Sequence, residues 1–191
     1  MRHVAHSSEA PSLPVEAARR GDPVAWDALL HRYQLPLFAY IMELVHHHAT
    51  SLDLVQEVFL RATRHLPSLR DDSRFGSWLF GIAHQQVVQH WRRKGRSPFS
   101  DDPVPEDLAD ESPAPDDGAI RDEDSSRLLT AIDHLSPPHR SVILLHYLEE
   151  FPLAEIATIT GASLGTVKSR LHYAKRELRK SLTPLSPEPL P

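Results

Sequence analysis

Cysteine is absent from the 191 residues. That excludes disulfides and cysteine-ligated metal, and it argues for a reducing compartment. No run approaches the roughly 18 apolar residues of a membrane span, and the opening MRHVAHSSEAPSLP lacks the apolar centre of a secretory signal. The expected location is the cytoplasm, without membrane insertion. Equally missing are a glycine-rich phosphate loop, a nucleophile elbow and a catalytic carboxylate pair. The residues therefore make no case for an enzyme, and no cofactor is expected. No segment sustains the period-two alternation of a strand, so the fold class expected is all-α.

What is present is a chain with 40% hydrophobic and 25% charged residues, globular in character and long enough for one medium domain or two small ones. Its net charge of −5 is unevenly spread. Residues 1–97 hold 12 Lys and Arg against 9 Asp and Glu, residues 98–124 hold 1 against 11, and residues 125–191 hold 8 against 6. Two mildly basic parts thus flank one acidic segment, an arrangement compatible with nucleic-acid contact at both ends. The Pro- and Asp-rich middle has few residues that could build a core and reads as a linker. The division expected is a polar tail over 1–13, a domain over 14–97, a linker over 98–124, a second domain over 125–182 and a tail over 183–191.

In the first domain a short helical stretch from Pro14 should end at Gly21. Asp22 and Pro23 then open a helix through Trp26, Leu29, Tyr33 and Leu37, with Pro36 implying a kink or break before Phe38, Ile41 and Val45. A third helix is expected from Ser51 as N-cap through Leu54, Val58 and Ala62. A fourth runs from about Gly76 to Trp91, where Trp78 reads as core and Trp91 is undecided between core and a DNA-stacking wedge. His46, His47 and His48 invite a metal reading, but neighbours on a helix point about 100° apart, so at most two could converge. An ordinary helix terminator is the preferred reading.

The most informative stretch is FPLAEIATITGASLGTVKSRLHYAKRELRK, Phe151 to Lys180. Gly161 suits a left-handed helix stop and Ser163 an N-cap. Leu164, Val167, Leu171, Ala174 and Leu178 then form an apolar stripe. Short hydroxyls at the helix front followed by cations suit entry into a DNA major groove. Upstream, Leu128 to Leu135 and Val142 through Leu148 to Glu150 give two more helices, separated by Ser136-Pro137-Pro138.

This helix-turn-helix, with LSPPHRSVILLHYLEEFPLAEIA before it, resembles the fourth conserved region of bacterial sigma factors of the extracytoplasmic-function type. The stretches DLVQEVFLRATRHL and SLRDDSRFGSWLFGIAHQQVVQHWRRKGR resemble their second region. The resemblance covers about residues 14 to 182. It implies a factor that binds core RNA polymerase and directs transcription initiation at promoter DNA. Asp53, Gln56, Glu57 and Arg61 would contact the clamp coiled coil of the largest subunit, with Val58 and Phe59 split between core and interface. A loop from Leu69 through Arg70 and Ser73 to Arg74 would hold a flipped minus-ten base. Gln85 and Gln89 would present polar groups to that DNA, where relatives commonly carry Asn and Asp. Arg92, Arg93, Lys94 and Arg96 would bind its phosphates. Ser163, Thr166, Lys168, Ser169, Arg170, Tyr173, Lys175 and Arg176 would meet the minus-thirty-five element, and apolar parts of the second domain the polymerase flap. An anti-sigma factor is the expected inhibitor, and the acidic linker is either a spacer or an occupant of the RNA exit path. The competing classes are a stand-alone helix-turn-helix regulator, for which no dimerising seam is visible, and a metal-dependent hydrolase built on the His run, for which no activating acid or base is visible.

Overall fold

The computed structural model describes residues 13–95, Phe99 and 122–182, with side chains of the last stretch from Arg127 onward, and among these every regular element is helical. The two expected tails, nearly all of the linker and Arg96 lie outside the described residues.

A five-residue helix α1, Val15–Arg19, buries Val15 and Ala18, and Gly21 at φ +87° turns the chain into the next element. Helix α2, Pro23–Val45, starts as its sequence dictates: the Asp22 carboxylate accepts from the Val24 N–H at 2.9 Å and Pro23 fills a first-turn position where no N–H is needed. Of the kink or break anticipated at Pro36, the break does not occur, since α2 continues through it. Proline removes one backbone hydrogen bond, but Leu29 on one side and Leu37, Tyr40, Ile41 and Leu44 on the other are all buried in the same core. That shared burial keeps both halves in one continuous helix.

His46 ends α2 in the left-handed conformation at φ 52°, its N–H donating to the Met42 carbonyl at 2.8 Å. Helix α3, His48–His65, begins earlier than Ser51 because His47 is its cap, with ring Nδ1 accepting from the Thr50 N–H at 3.2 Å. Ser51 is buried inside the first turn and donates to the His47 carbonyl at 3.0 Å. Two single 3-10 turns, Leu66–Ser68 and Asp72–Arg74, lead into α4, Phe75–Arg93. Trp78 packs with Phe75 at 5.7 Å between ring centroids. Trp91 is also structural here, its indole N–H donating to the Leu44 carbonyl at 3.3 Å.

The second half holds α5, Asp122–Asp133, α6, Pro137–Ile143, α7, Leu153–Thr160, and α8, Leu164–Leu182. Helix α6 does not run on as a regular helix to Glu150: Leu144–Leu148 forms a wider π turn. Tyr147 and Leu148 face solvent. Between α7 and α8, Gly161 sits at φ 69° and the Ser163 hydroxyl accepts from the Thr166 N–H at 3.0 Å, so both expected punctuation residues act as read. Val167, Leu171 and Ala174 of the stripe are buried, whereas Leu164 is exposed.

The two halves share one core. The rings of Phe80 and Phe151 meet edge to face at 5.3 Å, and a Cβ at Gly81 would stand in ordinary contact, 4.0 Å from the Ile159 Cα, so α7 lies directly on α4 here. A second contact joins α6 to the end of α2 through Arg140.

Candidate nucleic-acid and polymerase interfaces

The segment between α3 and α4 is shaped by its own polar residues. Asp71 accepts from the Ser73 N–H at 3.0 Å and hydroxyl at 2.6 Å, and lies 3.5 Å from Arg74. Those bonds, the hydroxyl's first, hold the Asp71 carboxyl below its ordinary range. Leu69 is half-buried while Arg70, Ser73 and Arg74 are exposed. On α4, Gln85 and Gln89 are four residues apart and Arg92 follows by three, so they share one face. Gln85, Arg92, Arg93 and Lys94 are exposed and Gln89 is half-buried. The Lys94 ammonium lies over the Trp91 ring, 5.8 Å from its centroid.

Along α8 the expected DNA residues divide into two groups. Ser163, Lys168, Tyr173 and Arg176 are exposed, with Thr166, Arg170 and Lys175 half-buried. The Tyr173 ring lies 4.7 Å from that of His139, and the Arg176 guanidinium stacks over it at 4.9 Å. Ser169 is instead 7% exposed and donates back to the Thr166 carbonyl at 3.0 Å. Arg170 lines a cleft of about 120 Å³ between the halves, together with Thr160, Ser141, His84 and Arg92. Two cations from separate candidate DNA surfaces are thus gathered into one internal cleft.

The face carried by α3 is different in kind. Asp53 and Gln56 are exposed, and Glu57 and Arg61 are half-buried and paired at 2.7 Å. Val58 is wholly core, whereas Phe59 reaches an open groove of about 720 Å³ between α2 and α3. Trp26, Leu30, Leu52 and Val55 line the same groove, with Gln56 among its polar residues. An apolar floor with a polar rim suits a partner helix.

The His run serves helix ends. His47 caps α3, and the His46 Nε2 meets the Arg140 guanidinium, which also donates to the Glu43 carbonyl. Among the described residues no group of three or more His, Asp or Glu could hold a metal ion.

Between the halves, Tyr40 and His84 share a buried 2.8 Å hydrogen bond. Burial pushes the Tyr40 hydroxyl well above the ordinary phenol range. Burial first, and the Arg170 charge second, push His84 from 6.5 down to about 4. The unfolded chain therefore takes up this proton before the folded chain does. The stability from a neutral His84 is complete above pH 6.5 and is lost as pH falls towards about 4, a span worth on the order of 3 kcal/mol. Thermal melting of the wild type should fall across that window, and His84→Gln should flatten the fall. Parallel curves for the two proteins would refute this assignment.

Comparison with known proteins gives these surfaces a family. Residues 29–97 match sigma-70 region 2 and residues 125–178 match sigma-70 region 4. The RNA polymerase sigma-H factor of Pseudomonas aeruginosa is 32% identical over 179 residues, covering 90% of this chain and 93% of that protein. The ECF RNA polymerase sigma factor SigL of Mycobacterium tuberculosis is 33% identical over 174 residues, covering 90% and 96%. Among solved structures, the sigma factor RpoE of Bartonella quintana, in complex with the anti-sigma factor NepR, superposes with a TM-score of 0.59 at 27% identity over 81% of this chain and 96% of that one. CnrH, solved with the cytosolic domain of CnrY, shares the fold with a TM-score of 0.62 at 21% identity over 90% and 96%. Among the described residues no helix is long and apolar enough to cross a membrane. With both regions matched in order and relatives spanning nine-tenths of its length, the chain belongs to the sigma-70 family as an extracytoplasmic-function RNA polymerase sigma factor, a non-catalytic factor for transcription initiation.

Proposed function

We propose that the α3 face of Asp53, Gln56, Glu57 and Arg61 makes the polar contacts to the clamp coiled coil of core RNA polymerase, and that the adjoining apolar groove between α2 and α3, which of these four only Gln56 lines, seats its apolar side. The segment Leu69 to Arg74 and the Gln85, Gln89 and Arg92 face of α4 read and open the minus-ten element, and the front of α8 reads the minus-thirty-five element. The domains doing so correspond to 14–97 and 125–182, and the work is done in the cytoplasm, where core polymerase and promoter DNA are found. An anti-sigma factor holds the chain inactive, a reading supported by the RpoE complex with NepR. The observation that carries the proposal is separation: the apolar groove shares no residue with either cationic DNA surface. One chain can therefore hold polymerase and DNA together, and two weak DNA contacts become useful through effective concentration.

Run-off transcription by core polymerase, with and without the chain, on a pooled genomic promoter library tests this reading. New transcripts are expected. They should be lost with Asp53→Ala plus Glu57→Ala through failure to bind core, and with Lys168→Ala plus Arg170→Ala while core binding persists. A wild-type chain that does not bind core polymerase would overturn the proposal in favour of a stand-alone regulator.

A further inference from the structure

We infer that Arg19 is a positioning residue for minus-ten base capture, holding the Leu66 to Arg74 segment in shape from a different helix. The inference rests on the proposed role of that segment and adds a residue that the family resemblance does not assign. Helix α1 is short, but its backbone is well placed: Val15 and Ala18 are buried, and the Asp22 N–H donates to the Ala17 carbonyl at 3.1 Å. Arg19 projects from it with only 24% of its side chain exposed. Its Nη2 donates to the Leu69 carbonyl at 3.1 Å and pairs with the Asp72 carboxylate, which Nη1 also approaches at 3.5 Å. Glu16 orients the guanidinium from behind, 2.6 Å from Nη1.

One planar fork therefore ties two points of the loop, three residues apart, to a helix about fifty residues earlier in sequence. The adjacent carboxylates divide the labour. Asp72 pairs with Arg19, while Asp71 binds the Ser73 amide and hydroxyl. Leu69, the expected apolar wall, and Ser73, the expected polar contact, thus stand on backbone that Arg19 fixes from one side. A pocket ordered before DNA arrives loses less freedom on taking up a base, and discrimination depends on that order. A half-exposed ion pair contributes little to folding, so selectivity should respond far more than stability.

The test uses holoenzyme reconstituted from core polymerase and the full chain, a promoter library randomised across the minus-ten element, and sequencing of the transcripts. Arg19→Met should weaken preference at a single minus-ten position by about tenfold, the scale of one mismatched base pair. Preferences elsewhere and the melting temperature of the free protein should be kept, and Arg19→Lys, which retains a charge for Asp72, should recover part of the preference. Leu69→Ala is the control for the underlying reading and should affect the same position. If Leu69→Ala flattens that position and Arg19→Met does not, the inference fails while the loop's role stands. A uniform loss of transcription in Arg19→Met with preferences intact would reduce Arg19 to a structural residue and also overturn it. If Leu69→Ala changes no preference, the loop does not read a base and both readings fall.

Discussion

Oxidation of a chain carrying Gly81→Cys and Ile159→Cys should abolish run-off transcription, and reduction should restore it. A Cβ at residue 81 would lie 4.0 Å from the Ile159 Cα, so the two backbones run close enough here for a bridge to tie α4 to α7 with little movement. The native chain has no cysteine, so the engineered bridge has no competitor. The predicted loss comes from distance. The minus-ten and minus-thirty-five elements are about 25 base pairs apart, roughly 85 Å at about 34 Å per helical turn. In the closed arrangement Arg92 and Arg170 line the same small cleft. If the two surfaces read these elements as proposed, both cannot reach them until α7 leaves α4. We expect the oxidised protein to give less than about a tenth of the reduced protein's transcript, which corresponds to about 1.4 kcal/mol or more against the open state. The reduced double variant controls for the core volume lost at Ile159. Full activity with the bridge intact would mean that the closed arrangement reads promoters as it stands.

Arg140→Met should give the largest loss of stability from a polar substitution. The guanidinium is 5% exposed and donates to the carbonyls of Ile132, Asp133 and Leu135 at the end of α5, and to the Glu43 carbonyl and His46 ring at the end of α2. Asp133, 3.7 Å away and half exposed, is the nearest carboxylate. Helix C-terminal carbonyls carry partial negative charge, so one cation placed between two such ends satisfies both. Methionine keeps the apolar stem but leaves these acceptors without a donor, at a cost of about 3 kcal/mol. Lysine keeps the charge without the fork and should recover only part of it. Chemical denaturation of the three proteins decides the matter, and Arg140→Met within about 0.5 kcal/mol of wild type would be inconsistent with this network.

Features set by neighbouring residues were legible in the sequence. Asp22, Pro23, Gly161 and Ser163 all act within four residues of themselves, and capping chemistry needs no tertiary information. Pro36 was misleading because its local cost is real but is outweighed by burial on both sides, which depends on the rest of the fold. Ser51 is a good cap by type, yet His47 reached the free amide first. The ties that fix the interfaces were invisible for a different reason. Tyr40 to His84 spans 44 residues, Arg19 to Asp72 spans 53, and Arg140 to Glu43 spans 97. No periodicity pairs side chains at such separations. The candidate DNA surfaces were legible as helix faces, whereas the burial of Ser169 depends on tertiary packing and the turning of Arg170 into a cleft on packing between the halves.

The open groove between α2 and α3 has a consequence for the order of events. It draws on the front half of α2 and on α3, whereas the second half of the protein meets α4 and the far end of α2. Among the described residues, none from the second half lines it. If the groove seats polymerase as proposed, capture does not have to wait for the halves to separate. On the proposed assignments, a factor built this way can be recruited while Arg92 and Arg170 still share one cleft, and its two DNA surfaces need move apart to their promoter spacing only on the enzyme.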